Sequence, residues 1–175
     1  FPTRRYALIL GLFMLAWAGD GFNSFLALLE LPHLYEPTNR LRLITGALAG
    51  IAIAAVLLPA LNVTFWAAPA DRRSIERPAD LLWLLAEAAA VVLIVLSAAD
   101  WLLYPLALLS GLLVPLLIGA LLAMFYLSFT RREGRAARWR ELGAPLTVGL
   151  GAAFVLIALI GLARDALTAA YGMPF

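Results

Sequence analysis

Apolar residues fill this chain in five long runs, broken by short polar stretches that carry most of the charge. The first run covers residues 6–31, enough to cross ~30 Å of hydrocarbon at ~1.5 Å per residue, and Pro32 closes it. It is too long, and too polar near its middle, for a signal peptide. A polar turn follows over 33–39, where Pro37 forces Glu36 into extended backbone and Thr38 or Asn39 can cap the next helix. The second run covers 41–65. Gly46 and Gly50 stand there at small-xxx-small spacing, which predicts close approach of another helix, and Pro59 predicts a kink. The third run covers 79–99 and is opened by Pro78, which suits the first helical position. The fourth covers 102–129; only Asp100-Trp101 separates the two, so they read as an antiparallel hairpin. The fifth covers 144–163, with 166–171 able to carry the helix onward. The predicted fold is all-α: one transmembrane domain over residues 1–175, a bundle of five membrane-spanning helices.

Composition strengthens that reading. The chain is 64% hydrophobic and 14% charged, against about half and about a quarter in soluble domains. Its 13 basic residues are all arginine. Five spans put the termini on opposite sides. Arg4, Arg5, Arg72, Arg73, Arg77, Arg131, Arg132, Arg135, Arg138 and Arg140 then share one side, and Arg40, Arg42 and Arg164 the other. The positive-inside rule makes the richer side, with the N-terminus, cytoplasmic, and the C-terminus extracytoplasmic. The expected location is the bacterial inner membrane, crossed several times.

The same inventory excludes much chemistry. Without cysteine there is no disulfide, thiolate metal site or thiol nucleophile. One histidine builds no multi-histidine metal or bis-histidine haem site. Ser110 has no histidine on a neighbouring span to activate it. No Gly-rich phosphate loop and no basic-aromatic surface is present, so nucleic acid is not an expected partner. No cofactor is predicted, although the helix faces leave room for bound lipid or pigment. His33, in a turn, reads as a solvated side chain before it reads as a ligand.

Polar residues within the apolar runs are the candidate sites. An unpaired carboxylate at the depth of Asp20 costs at least ~3 kcal/mol. Asn23 and Ser24, at i+3 and i+4, share its helical face. Arg42, Thr45, Gly46 and Ala49 share a face of the second run. The short turn lets these faces meet, which predicts an Asp20–Arg42 pair supported by Asn23 and Thr45, with Arg164 as the competing partner. Such a cluster fixes helix packing or lines a pocket for a small polar ligand, a lipid headgroup or a proton. Glu87 lies in the third run and is expected to pair with a snorkelling arginine such as Arg77 or Arg131, or with Tyr126. Arg164-Asp165 falls at the far interface of the fifth run.

Asp20-Gly21, then Pro37-Thr38-Asn39, Arg42 and Thr45-Gly46, together resemble DUF2085, a family of bacterial membrane proteins. Its members end one span with an aspartate-glycine pair and open the next with a (S/P)TN-x-x-R-x-x-TG motif. The resemblance covers about the first 65 residues; the cysteine-containing motif usual upstream in the family is absent. It implies no activity, but it singles out Asp20, Asn39, Arg42 and Thr45.

The leading expectation is therefore a non-enzymatic accessory or structural subunit, embedded in lipid and packed against other membrane subunits. Two other readings stand beside it. One is a transporter of a small solute, ion or lipid with its site near Asp20 and Arg42. The other is a membrane enzyme whose catalytic residues precede Phe1.

Overall fold

The computed structural model describes residues 1–97 and 99–171. Five long helices carry the chain: α1 (Arg4–Leu28), α2 (Asn39–Phe65), α3 (Pro78–Leu96), α4 (Asp100–Phe129) and α5 (Gly143–Tyr171), the last preceded by a single 3-10 turn, Trp139–Leu142. Each contains a segment long and apolar enough to cross a membrane. Among the described residues there is no strand, only an isolated parallel bridge between Trp66 and Ala136. The protein is an all-α membrane protein with several spans.

Helix ends depart from the apolar runs where backbone hydrogen bonding closes a helix early. The first run reaches Leu31, but α1 stops at Leu28. Leu31 N–H donates to Leu26 O at 3.0 Å and Glu30 N–H to Ala27 O at 3.1 Å. These two bonds form a Schellman closure, which needs a left-handed residue, and Glu30 takes it at φ +56°. The end of α4 repeats the arrangement: Arg132 N–H donates to Leu127 O at 2.9 Å and Arg131 N–H to Ser128 O at 3.1 Å, with Arg131 at φ +53°. At the start of α2, Thr38 provides the cap, accepting Leu41 N–H on Oγ1 at 3.3 Å. The third run was expected to reach residue 99, but α3 ends at Leu96, where the Ser97 hydroxyl turns back to Ile94 O at 2.6 Å. Asp100, expected in the turn, is the first residue of α4.

The chain divides into two compact units, Phe1–Ala60 with Asp71–Leu102, and Leu61–Ala70 with Leu103–Phe175. In the first, Tyr6 and Leu10 of α1 meet Ile51, Ala52 and Ala55 of α2, with Leu81, Leu84, Leu85 and Ala88 of α3 against them. Ile75, from the loop before α3, is 0% exposed and plugs this core. Burying such a side chain stabilises by about 1.5–3 kcal/mol.

In the second unit, Phe65, Ala123, Leu127, Ala136 and Leu142 form the core. The loop segments beside it are laced by Ala67 N–H to Ala136 O (3.0 Å) and Gly134 N–H to Thr64 O (2.7 Å). The rings of Trp66 and Trp139 meet edge to face at 4.7 Å. Glycine sets the crossing of α4 and α5. A methyl on Gly149 would lie 2.6 Å from Ala123 N and 2.8 Å from Ala123 Cβ, and would overlap Gly119 O. Close backbone approach was expected at Gly46 and Gly50 instead. Both have open space where a methyl would stand, so small-residue spacing alone does not identify which helix face is packed.

Candidate functional site

The buried face of α1 is a single stripe: Tyr6 and Leu10 near one end, Asp20, Asn23 and Ser24 near the other. This 3.6-residue periodicity turns the helix's polar group away from lipid. Asp20 is 4% exposed and Asn23 3%.

Asn23 organises the turn between α1 and α2. Its Oδ1 accepts Leu34 N–H at 2.7 Å and Tyr35 N–H at 3.4 Å, and its Nδ2 donates to Tyr35 O at 2.8 Å. A side-chain amide offers both donor and acceptor, so it can clamp a turn that has no helical partners of its own. With its backbone held, Tyr35 reaches back and donates its hydroxyl to Asp20 Oδ1 at 2.7 Å. From α2, the Thr45 hydroxyl stands 3.1 Å from Asp20 Oδ2, with Leu41 O at 3.0 Å and Arg42 O at 3.3 Å. Its single proton is shared among three acceptors. The bond to Asp20, with some assistance from burial, raises the Tyr35 phenol above its ordinary value.

The expected Asp20–Arg42 pair does not form. Arg42 donates its Nε to Ser24 Oγ at 3.2 Å, while Asp20 takes hydroxyl donors from the turn and α2. A hydroxyl loses less hydration than a guanidinium when drawn into an apolar interior. Asn39 also stands apart: it is the exposed first residue of α2, next to the capping Thr38. Five of the expected residues (Asp20, Asn23, Ser24, Arg42 and Thr45) thus do come together. The sixth participant, Tyr35, was missed. Its signal was an aromatic hydroxyl in a short turn facing an acid that needed donors.

The remaining candidates lie elsewhere. His33 bridges Leu31 O through Nδ1 at 3.0 Å and Glu36 Oε1 through Nε2 at 3.1 Å. Both partners are acceptors, so they favour the doubly protonated ring. The Leu31 carbonyl first, and then Glu36, raise its pKa. Arg164 and Asp165 are exposed on α5. Among the described residues, no three His, Asp or Glu side chains converge as a metal site.

Glu87 differs from all of these. It is the middle residue of the 19-residue α3, with Pro78 and Leu96 as its ends. At ~1.5 Å per residue, that helix is about 28 Å long, barely the thickness of the hydrocarbon core. Glu87 therefore sits near its midplane. It is exposed and takes no partner among the described residues, the expected Arg77 included.

Residues 1–56 match DUF2085, a family of predicted membrane proteins. That segment includes α1, the turn and most of α2, and with them every member of the Asp20 cluster. No curated protein and no solved structure matches the chain.

Proposed function

We propose that this chain is a non-catalytic subunit of a larger assembly in the bacterial inner membrane, and that α3 is the helix it presents to a partner. Glu87 carries this reading. A lone carboxyl at mid-bilayer depth costs about 3 kcal/mol on insertion scales. Apolar solvent offers it no hydrogen bond. Asp20 meets the same cost within the chain, through Tyr35 and Thr45; Glu87 has no such partners among the described residues. Its neighbours at i+3, i+4 and i+7 are Ala90, Val91 and Ile94, all exposed. They form an apolar stripe with a small residue beside the acid, suited to a close-packed helix. The complementary partner is a membrane helix with a basic or hydrogen-bond-donating side chain at matching depth.

The transport reading instead makes Asp20 the working group, although its acceptors are engaged by two hydroxyls of its own chain. Native mass spectrometry of the protein extracted gently from its membrane tests the proposal. Stoichiometric association with other chains is expected, retained by Glu87→Gln and lost in Glu87→Leu. A lone monomer or homo-oligomer would overturn it, and flux through proteoliposomes that is abolished by Asp20→Asn would replace it with transport.

A further inference from the structure

The loop before α3 holds a second feature, independent of the subunit reading. Arg72, Arg73, Ser74 and Arg77 line an open cavity of about 610 Å³, with Trp83 and Leu84 on its α3 side. Glu76 and Asp80 also line it, and both are turned to backbone. Asp80 Oδ2 accepts Glu76 N–H at 2.9 Å and Arg77 N–H at 2.8 Å, and Glu76 Oε1 accepts Arg73 N–H at 3.3 Å. The nearby carboxylates are thus occupied in shaping the loop. The guanidinium groups of Arg72, Arg73 and Arg77 make no salt bridge or hydrogen bond among the described residues, although Arg77 lies close enough to Asp80 to attract its carboxylate. The Ser74 hydroxyl oxygen is buried and likewise has no hydrogen-bond partner. A buried polar atom left unpaired is uncommon enough to need an explanation.

We infer that this cavity binds the phosphodiester of an anionic membrane lipid. Three arginines and two carboxylates leave the lining at +1 (3 − 2), the charge that one phosphodiester neutralises. Guanidinium groups match phosphate oxygens in geometry as well as charge, and Ser74 supplies a hydroxyl donor. Trp83, 71% exposed, lies about 8 Å along the helix from Pro78. That places it below the headgroups, at the level of the acyl chains. A lipid with its phosphate among the arginines would lay its chains along Trp83 and Leu84. The loop lies on the side that the arginine distribution predicts to be cytoplasmic, where anionic headgroups are attracted to basic segments.

The test is retention of phosphatidylglycerol, against phosphatidylcholine, by the full chain in nanodiscs of mixed composition, read by native mass spectrometry. Retained phosphatidylglycerol should fall about fivefold per arginine removed in Arg72→Gln, Arg73→Gln and Arg77→Gln, and measurably in Ser74→Ala. Arg131→Gln/Arg132→Gln/Arg135→Gln removes the same charge from the other basic loop and should leave retention unchanged. Size-exclusion profiles confirm that each variant is folded. An equal loss in that control, or none in the arginine variants, would overturn the site. Displacement of the lipid by millimolar inorganic phosphate would reassign it to free phosphate and overturn the lipid proposal.

Discussion

Two carboxylates stand inside apolar helices of the first unit, and they are treated in opposite ways. Asp20 is buried and receives hydroxyl protons from Tyr35 and Thr45. Glu87 is exposed at the middle of α3 with no partner among the described residues. In water the two would be interchangeable. In a bilayer the difference decides what each is for, because hydrocarbon supplies no hydrogen bond and an unpaired polar group there is costly. A satisfied acid fixes the chain's own packing. An unsatisfied one is what leads us to propose a partner helix at α3.

That contrast makes opposite predictions for the same kind of substitution. Glu87→Leu should favour membrane insertion of α3 by about 3 kcal/mol, read in a translocon insertion assay, while eliminating partner association. Asp20→Ala should destabilise the isolated protein by about 1 to 3 kcal/mol, two hydrogen bonds, one from the turn and one from α2, being lost at about 0.6 to 1.7 each, read by denaturant titration in detergent. If both substitutions shift stability in the same direction, the contrast fails. Asn23→Ala should cost about 2 kcal/mol, because it leaves Leu34 N–H in the turn without its acceptor. It should also lower the Tyr35 phenol pKa toward its ordinary value, as the ring loses its hold on Asp20, measured by ultraviolet titration. Thr45→Val should cost less, about 0.6 to 1.7 kcal/mol, since Tyr35 still serves the other carboxylate oxygen.

The smallest effect belongs to the turn outside the membrane. His33 has its pKa raised from 6.5 by Leu31 O and Glu36. A raised folded value means the stabilisation is fully present below pH 6.5 and is lost as pH rises through the folded value. Nuclear magnetic resonance titration should give a His33 pKa above 6.5 in the native chain. Glu36→Gln should lower it, with Leu31 O maintaining part of the shift.

Gly149 belongs to the second unit, where no acid is at stake and backbone proximity does the packing. Gly149→Ala should cost about 1 to 3 kcal/mol, because the obstructing atoms are the Ala123 and Gly119 backbone and not a flexible side chain.

Much of this was legible in the chain itself. Span number and rough position follow from run length, since ~30 Å of hydrocarbon demands about twenty apolar residues whatever surrounds them. The shared face of Asp20, Asn23 and Ser24 follows from helical period alone. Helix ends were less legible: Leu29 and Leu31 look as apolar as the helix before them, and the closure is set by two backbone bonds. The glycines misled for a related reason. Gly46-xxx-Gly50 has the right spacing, but spacing does not say which face meets a neighbour, and the close approach is at Gly149 with Ala123 and Gly119.

By itself, the sequence determined that this is an all-α membrane protein, where its helices run, and which polar groups need partners. Those are properties of each segment's transfer into lipid, which neighbours hardly change. Only the tertiary structure decided who the partners are. Tyr35 answers Asp20 because Asn23 clamps the turn that carries it. Arg42 goes to Ser24 because a hydroxyl lay within reach and the acid was already occupied. Glu87 has no partner among the described residues because α3 turns Leu81, Leu84, Leu85 and Ala88 toward the core and not the acid. Pairing depends on which atoms converge within about 3 Å, and that convergence exists only once the helices are packed.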